Sequence, residues 1–231
     1  MFGWSHYHMR PYRLTHHRID QDVPARTLGR GRPGKQIVHF PSLKNEGVIV
    51  CESRLEADFC LWLEYDRDVV SYRPQPETVS LIVDDKAYRY TPDVLAISFT
   101  GVEKIWEVKP HGVYRWPAYL RKMIVAEEYF AAQGRDFELV TDSVIRCQPS
   151  LRNLRWLYAQ AHAIDPRAIP HLWDSLQGLT GPVTLGRLLN QAVPVSVRAI
   201  AHAVFQGQLA INLGEVWGPH SVLTIQEGPY G

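Results

Sequence analysis

The sequence lacks the features that would assign it to a membrane, to a disulfide-rich secreted scaffold or to a zinc ribbon. None of its 231 residues lies in an apolar run of about 20, the length that a membrane-spanning helix needs. The N-terminal residues have no apolar segment of the kind that signal peptides carry. Cys51, Cys60 and Cys147 are odd in number and have no CxxC spacing, so neither a disulfide framework nor a zinc ribbon is indicated. We therefore expect a cytoplasmic protein in a reducing compartment.

Charge is nearly balanced in total but is unevenly distributed along the chain. The formal net charge is +1, whereas residues 1–35 alone carry +5 and the remaining residues carry −4. A flexible basic arm of this kind binds DNA phosphates with release of counterions. The residues predicted to contact DNA are Arg10, Arg13, Arg18, Arg30, Arg32 and Lys35. A solvated tail that only aids solubility is the alternative, and the sequence does not decide between the two.

Hydrophobic periodicity predicts an α/β domain in the first two thirds of the chain. A helix over 53–64 has Ser53 as its N-cap, because Ser side chains accept backbone N–H groups at helix starts. Asp84-Asp85 is predicted to be the turn between the first two strands. The strands are predicted at 78–83, 87–99, 104–108 and 137–141, and a second helix at 116–133. Their order is αβββαβ, which is typical of a mixed sheet flanked by helices.

The last third of the chain has a different pattern. A helix near 151–158 leads to Asp165-Pro166, where the pattern is interrupted. Three short helices and two strands are then predicted, at 169–176, 184–191, 196–206, 209–213 and 222–225. Three helices followed by a β-hairpin is the order of a winged helix, so we predict a small winged-helix-like domain at the C-terminus.

The sequence leaves the partner of this C-terminal domain open. DNA could be recognised through the helix at 196–206, where Arg198 and His202 lie on one side. The same helix is rich in Ala, Val and Ile and offers few groups that bind phosphates. Because helices that bind DNA are usually more basic, protein docking is the favoured interpretation.

The most informative residues are Asp93, which enters one strand, and the run Glu107-Val108-Lys109, which begins 14 residues further on inside an apolar strand. Alternation places Glu107 and Lys109 on one face of that strand and Val108 on the other. Two carboxylates beside an ammonium are the groups needed to hold Mg²⁺ and to activate water. The alternatives are a turn role for Asp93 and an exposed edge-strand charge pair for Glu107 and Lys109.

Glu56 has two interpretations. The run Ser53-Arg54-Leu55-Glu56 fits a capping box, in which the Glu56 side chain bonds back to the Ser53 backbone N–H. Taken alone, this structural role is the more common one. The carboxylate could instead face Asp93 and Glu107 and complete a metal site. The whole combination, which includes Lys109, is more specific than any of its members.

Several short motifs follow one another in a fixed order. They are Ser53-x-x-Glu56, Asp68-Val69-Val70-Ser71-Tyr72, Gln75-Pro76, Tyr90-Thr91-Pro92-Asp93 and Trp106-Glu107-Val108-Lys109-Pro110. This order resembles the TnsA endonucleases, the nuclease subunits of heteromeric cut-and-paste transposons in the PD-(D/E)xK restriction-like superfamily. The resemblance covers about residues 40–165 and, more faintly, the C-terminal segment. It implies a restriction endonuclease-like core with the αβββαβ order, followed by the small winged-helix-like domain.

The charge distribution, the order of elements and this resemblance together predict a domain division, and the resemblance implies a role for individual residues. The divisions are a basic arm at 1–35, a PD-(D/E)xK nuclease domain at 36–148, a connecting helix at 149–165 and the winged-helix-like domain at 166–231. The metal ligands would be Glu56, Asp93, Glu107 and the backbone carbonyl of Val108, with Lys109 as the catalytic lysine and Gln75 as an accessory residue. Some TnsA proteins have Gln where this chain has Glu107. The implied cofactor is Mg²⁺, for which Mn²⁺ would substitute.

By this resemblance, the expected activity is hydrolysis of phosphodiester bonds at the 5′ ends of a transposon, in a bacterial cytoplasm. The implied partners are double-stranded DNA at the transposon ends, a TnsB-like DDE integrase and a TnsC-like AAA+ ATPase. Two alternatives are a non-catalytic DNA-binding or scaffold module on the same fold, and a stand-alone restriction or repair nuclease. The complete set of acids and Lys109 favours an enzyme, since a module without catalysis has no need of a buried acidic cluster.

Overall fold

The computed structural model describes residues 36–162 and 164–226. The described residues form two compact units, one of 36–159 with 213–216 and the other of 160–212 with 217–226. The predicted DNA contacts lie outside the described residues, namely Arg10, Arg13, Arg18, Arg30, Arg32 and Lys35. In the described ranges, no helix has the length and the apolar character required to cross a membrane. The domain boundaries proposed from the sequence stay predictions.

The larger unit begins with a β-hairpin and a helix. The strands β1 (Val38–Ser42) and β2 (Gly47–Cys51) are antiparallel, and α1 (Arg54–Tyr65) follows directly. Ser53 is the N-cap of α1 as predicted, because its Oγ accepts the Glu56 N–H at 3.1 Å. The sequence pattern did not predict the hairpin, since a proline interrupts the alternation of its first strand.

Six further strands complete this unit. They are β3 (Val69–Pro74), β4 (Val79–Val83), β5 (Lys86–Tyr90), β6 (Val94–Ser98), β7 (Glu103–Lys109) and β8 (Asp136–Thr141). The strands β3, β6, β7 and β8 form one sheet in that order, antiparallel except for the parallel pair β7–β8. The parallel pair needs a crossover, which a 3₁₀ turn (His111–Arg115) and α2 (Pro117–Ala131) supply. The predicted mixed sheet in an α/β domain is therefore confirmed.

The strands β4 and β5 form a separate hairpin outside the main sheet. The predicted turn at Asp84-Asp85 is present, and the two residues have positive φ angles of 49° and 58°, as two-residue hairpin loops require. The prediction of one long strand over 87–99 is wrong. Two strands, β5 and β6, occupy this range, because Pro92 between them cannot donate to a strand ladder and the chain changes sheet there. Consequently β3 is the first strand of the αβββαβ order, in place of the predicted strand at 78–83.

The hydrophobic core of the larger unit lies among the main sheet, the β4–β5 hairpin and α2. Its buried members are Val79, Leu81, Val83, Tyr90, Leu95, Ile105, Met123, Ala126 and Phe130. Burying each large side chain of this kind contributes about 1.5–3 kcal/mol, so the core holds these elements together. Ile105 is fully buried and shares a strand face with Glu107, two residues further on. The core thus ends where the candidate site begins.

The chain continues through α3 (Asp142–Ile145) and α4 (Ser150–Ala161) to the smaller unit. Its elements are α5 (Ala168–Gln177), β9 (Val183–Thr184), α6 (Leu185–Leu189), α7 (Val197–Phe205), β10 (Leu209–Ile211) and β11 (Val222–Ile225). The three strands form an antiparallel sheet in the order β10-β11-β9. Six of the nine residues of α7 are buried. Of its two polar residues, Arg198 is exposed and His202 is half-buried.

Candidate active site

Asp93 and Glu107 come together at one end of the β6–β7 pair. Val94 lies opposite Trp106 in the antiparallel register, and each of the two acids is one residue beyond this pair. The Val108 N–H donates to Asp93 Oδ2 at 2.7 Å and holds that carboxylate against the neighbouring strand. Asp93 therefore leads into an interior strand of the sheet with its side chain fixed.

The ammonium group of Lys109 marks the point on which these groups converge, which we call the shared point. Its Nζ lies 2.8 Å from Asp93 Oδ2, 2.7 Å from Glu107 Oε1 and 3.2 Å from the Val108 carbonyl oxygen. Lys109 and Glu107 reach it from the same face of β7, as alternation predicts. One cationic centre is thus held by one oxygen from each of three residues that the sequence assigned to a metal site.

The alternative of an exposed edge-strand charge pair is wrong. The strand β7 is paired on both sides, with β6 and with β8. Glu107 is only 3% exposed, whereas the side chains of Asp93 and Lys109 are 18% and 29% exposed. A buried carboxylate is costly unless its charge is balanced and its oxygens are hydrogen-bonded. The site therefore combines the buried carboxylate of Glu107 with two side chains, Asp93 and Lys109, that are partly exposed to solvent.

Two tyrosine hydroxyls bind the oxygens of Glu107. Tyr90, at the end of β5, donates to Oε2 at 2.7 Å, and Tyr119, in the first turn of α2, donates to Oε1 at 2.6 Å. Burial raises the pKa of both phenols and the Glu107 charge raises it further, so both hydroxyls stay protonated. Neither tyrosine was expected at the site from the sequence. The short connection at 110–116, which returns the chain from β7 to α2, is the one signal that could have suggested Tyr119.

Burial and neighbouring charges set the ionisation of Asp93 and Lys109. Burial raises the pKa of Asp93 to about 7, and the Glu107 charge adds to this shift while Lys109 opposes it. Burial alone would lower the pKa of the Lys109 ammonium, but the Asp93 and Glu107 carboxylates outweigh burial and hold the pKa above its ordinary value. Two carboxylates share one ammonium, which leaves a negative charge that a further cation would offset.

Glu56 caps the start of α1, but through the Glu52 N–H and the Ser53 hydroxyl instead of the predicted Ser53 backbone N–H. Its carboxylate accepts the Ser53 hydroxyl at 2.8 Å and the Glu52 N–H at 2.8 Å. Burial raises the pKa of Glu56, the Lys109 charge acts to lower it, and the Glu56 charge in turn raises the pKa of Asp93. Glu56 is therefore coupled to the site through charge, whereas its direct contacts are those of a helix cap.

Gln75 adjoins the site through the backbone. Its N–H donates to the Asp93 carbonyl oxygen at 2.9 Å, which extends the β3–β6 ladder by one residue. Gln75 is 7% exposed and has a φ of 45°, in the left-handed region that residues other than glycine seldom adopt. Its side-chain Oε1 is buried and has no hydrogen-bond partner among the described residues. Strained backbones and unsatisfied polar atoms cluster at functional sites, so Gln75 stays a candidate accessory residue.

The donor set fits a hard divalent cation on one condition. Carboxylate and carbonyl oxygens are ligands that Mg²⁺ takes in proteins, and Asp93, Glu107 and Val108 each present one to the shared point. The condition is that the Lys109 ammonium, which occupies the shared point, moves away before a cation binds there. In the part of the chain that the structure describes, no three His, Cys, Asp or Glu side chains are grouped as for a metal ion. A site here thus depends on two carboxylates and a carbonyl.

Comparison with known families identifies one that resembles part of this chain. Residues 66–142 match the model of the N-terminal domain of TnsA-like endonucleases. The matched range runs from just before β3 to the end of β8 and includes every candidate catalytic or metal-binding residue except Glu56. No curated protein matches the chain. The resemblance inferred from the motifs is confirmed over the main sheet and its inserted hairpin.

Proposed function

We propose that this protein, which is similar to TnsA-like endonucleases over residues 66–142, is the DNA endonuclease subunit of a heteromeric cut-and-paste transposase. Its reaction is hydrolysis of a phosphodiester bond at each 5′ end of the transposon, with Mg²⁺ as cofactor and Mn²⁺ as a substitute. Its partners are DNA at the transposon ends, a TnsB-like DDE integrase and a TnsC-like AAA+ ATPase. The supporting observation is the convergence of oxygens from Asp93, Glu107 and Val108 on one cationic point.

Asp93, Glu107 and the carbonyl of Val108 are the residues that would hold the cation. When bound, it lowers the pKa of a water and offsets negative charge on the phosphate. Lys109, once displaced from the shared point, keeps its positive charge because an ordinary lysine ammonium is protonated at neutral pH. Its ammonium then donates a hydrogen bond to a phosphate oxygen where negative charge builds up. Asp93 and Glu107 are held in place before the reaction, so they need little reorganisation during it.

Glu56 and Gln75 are assigned supporting roles in this proposal. Glu56 adds negative potential at the start of α1, and in its predicted ligand role its carboxylate leaves the capping contacts. Gln75 holds the Asp93 backbone through the hydrogen bond from its N–H to the Asp93 carbonyl. Gln75 thus positions Asp93, whereas the negative charge of Glu56 favours a cation at the site.

For the smaller unit we propose a winged-helix-like domain that docks a protein partner. The order of helix, strand, two helices and two strands supports this fold, with β9 added to the β10–β11 hairpin. Burial of most of α7 leaves a narrow stripe with Arg198 and His202 for an outside partner. Because a helix that recognises bases presents several polar side chains to the major groove, docking is favoured over DNA recognition.

Cleavage of plasmid DNA that carries the transposon ends tests the nuclease proposal. The protein is assayed with Mg²⁺ or Mn²⁺, alone and with its integrase and ATPase. Asp93→Asn is expected to lower the cleavage rate at least about 100-fold, because it removes a charged ligand and keeps the side-chain shape. Asp85→Asn, at the exposed hairpin tip, is the matched control and should leave the rate unchanged.

Two outcomes would contradict parts of this proposal. Undiminished cleavage by Asp93→Asn would rule out the proposed site. Full cleavage at the transposon ends by the protein alone, with no change on adding the partners, would indicate a stand-alone nuclease instead of a transposase subunit.

A further inference from the structure

Two residues outside the proposed ligand set fix the orientation of Glu107. Tyr90 and Tyr119 donate to different oxygens of the same carboxylate, at 2.7 Å to Oε2 and at 2.6 Å to Oε1. They belong to different elements, one to the end of the hairpin and the other to the first turn of α2. A carboxylate with a donor on each oxygen from two separate elements cannot rotate without breaking at least one hydrogen bond.

The two oxygens of Glu107 have different neighbours. Of the two oxygens, Oε1 is the one that contacts the Lys109 ammonium, at 2.7 Å, while Oε2 accepts the Tyr90 hydroxyl. A cation in the place of the ammonium would therefore meet Glu107 through Oε1. Bringing Oε2 to the same cation requires rotation of the carboxylate and loss of the Tyr90 hydrogen bond.

Packing holds both tyrosines in place. Tyr90 is 3% exposed, and its ring centroid lies 6.4 Å from that of Phe130 in the core. Tyr119 is half-buried and packs against the same core from α2. The donors that fix Glu107 are thus themselves fixed by the core that joins the hairpin, the sheet and the helix.

We propose that Tyr90 and Tyr119 are selectivity residues, which hold Glu107 as a one-oxygen ligand and thereby favour Mg²⁺ over Ca²⁺. This inference rests on the proposed function, because it requires the cation site at Asp93 and Glu107. Mg²⁺ demands nearly ideal octahedral geometry at about 2.0–2.1 Å, which single oxygens satisfy. Ca²⁺ takes about six to eight oxygens at about 2.3–2.6 Å and often binds both oxygens of a carboxylate. A carboxylate locked in one orientation suits the first ion and withholds a ligand from the second.

The test compares cation affinities as well as cleavage. Calorimetry on the whole protein measures the dissociation constants of Mg²⁺, Mn²⁺ and Ca²⁺ for the wild type, Tyr90→Phe, Tyr119→Phe and the double variant. Phe keeps each ring and removes only the hydroxyl. We expect the double variant to shift the ratio of Ca²⁺ to Mg²⁺ affinity at least about fivefold towards Ca²⁺, and each single variant to shift it less.

Tyr129→Phe is the matched control. Its ring packs against the same core from α2, but in the described structure its hydroxyl donates nothing to Glu107. The affinity ratio of this variant should equal that of the wild type. If the variants act by loosening the core, Tyr129→Phe should change the ratio of Ca²⁺ to Mg²⁺ affinity as well. If they act through the lost hydrogen bonds to Glu107, only the Tyr90 and Tyr119 variants should change it.

Failure of this inference and failure of the proposed function give different results. If the wild type binds none of these cations, or binds them equally well after Asp93→Asn, the proposed cation site is wrong. If the wild type binds them through Asp93 and the ratio keeps its wild-type value in the tyrosine variants, the selectivity inference is overturned. Melting curves establish which variants are folded, and Tyr119→Phe, at a half-buried helix start, decides the question if Tyr90→Phe unfolds.

Discussion

Two buried glutamates of the larger unit have similar surroundings and different chemistry. Glu64 is 1% exposed and Glu107 is 3% exposed. Each accepts a tyrosine hydroxyl at 2.7 Å, and each has a lysine nearby. The Glu64 network comprises Ser42, Lys44, Glu64 and Tyr72, and the Glu107 cluster comprises Tyr90, Asp93, Glu107, Lys109 and Tyr119. Residue types alone do not separate the two.

The difference lies in what each lysine binds. The Lys44 ammonium donates hydrogen bonds to three backbone carbonyl oxygens around the end of α1. Glu64 accepts hydrogen bonds from two hydroxyls and a backbone N–H. Lys109 instead binds two carboxylates, and it reaches solvent together with Asp93. A buried acid with neutral donors therefore stabilises the fold. A buried acid that shares one ammonium with a second acid, next to solvent, is a candidate ligand.

Removing each carboxylate should separate the two regions most strongly. Glu107→Ala is expected to lower cleavage by folded molecules at least about 100-fold, because a ligand is lost, and also to lower the free energy of unfolding, since Tyr90, Tyr119 and Lys109 lose an acceptor. Glu64→Ala should lower the free energy of unfolding by about 3 kcal/mol or more, since three donors lose a buried acceptor, and should leave cleavage by folded molecules unchanged. Cleavage rates and denaturant unfolding measure the two effects. The comparison breaks if Glu64→Ala abolishes cleavage by folded molecules.

Loss of the Lys44 ammonium tests the structural half of the comparison. Lys44→Met is expected to lower the free energy of unfolding by about 2–3 kcal/mol, because three carbonyl oxygens lose their donor. The exposed Lys86→Met on β5 is the control and should change the same quantity by less than about 0.5 kcal/mol. A stability loss of equal size in both variants would remove Lys44 from the network.

The loss in free energy of unfolding that Lys44→Met causes should also depend on pH. Burial lowers the pKa of Lys44 to about 8, while carboxylates nearby oppose the shift. Between this value and the ordinary 10.5, the unfolded chain binds the proton more often than the folded one does. Stability contributed by this group therefore rises with pH across that window, and the deficit of the variant grows. Denaturant unfolding at pH 7.5 and 9.5 checks the sign, and a deficit that shrinks would contradict it.

Divalent cations should raise the free energy of unfolding of the protein through the Glu107 cluster and independently of the Glu64 network. At about 10–100 times the dissociation constant, Mg²⁺ or Mn²⁺ is expected to add about 1.4–2.7 kcal/mol to the free energy of unfolding. The gain should vanish in Asp93→Asn and on addition of a chelator, and it should persist in Glu64→Gln. Thermal or denaturant unfolding with and without cation measures it. A gain that survives Asp93→Asn would place the cation elsewhere.

The smallest expected effect concerns Glu56 and its cap. Ser53→Ala should cost about 1 kcal/mol of stability, because the N-cap hydroxyl is lost, and should leave cleavage by folded protein unchanged. Glu56→Gln keeps an oxygen that accepts the capping hydrogen bonds and should change stability by less than about 0.5 kcal/mol, but it should lower cleavage about tenfold through the loss of negative charge near Asp93. Unchanged cleavage by Glu56→Gln would assign this residue to the helix cap alone.

Local patterns predicted the elements that carry a strong period of their own. The helix α1 with its Ser53 cap, the strand β7, the helix α2 and the strand β8 lie close to their predicted positions. The strand β3 was missed, because Val69–Pro74 alternates poorly and is defined by pairing with β6, some 20 residues further along. The break at Pro92 depends on which sheet each side joins, and that is settled by tertiary packing rather than by propensity.

The candidate site was predictable where residue type and spacing carry the chemistry. Asp93, Glu107 and Lys109 were found because strand alternation and opposite charge are visible in the sequence, and the structure brings them into direct contact. Tyr90 and Tyr119 were not, because their donation to Glu107 depends on how the hairpin and α2 approach the sheet. No local pattern reports that approach, although the motif Tyr90-Thr91-Pro92-Asp93 already placed Tyr90 beside a candidate ligand.

The break between β5 and β6 makes the chain from Tyr90 to Asp93 a spacer of fixed length. Only Thr91 and Pro92 separate Tyr90, whose hydroxyl binds Glu107, from Asp93, whose carboxylate binds Lys109. One residue inserted there would displace the Tyr90 hydroxyl relative to the Asp93 carboxylate. The turn at Asp84-Asp85 is exposed and contacts neither group, so it can receive a fluorophore or an affinity tag while the chemistry stays intact. A labelled protein of this kind would let assembly on DNA be followed in real time.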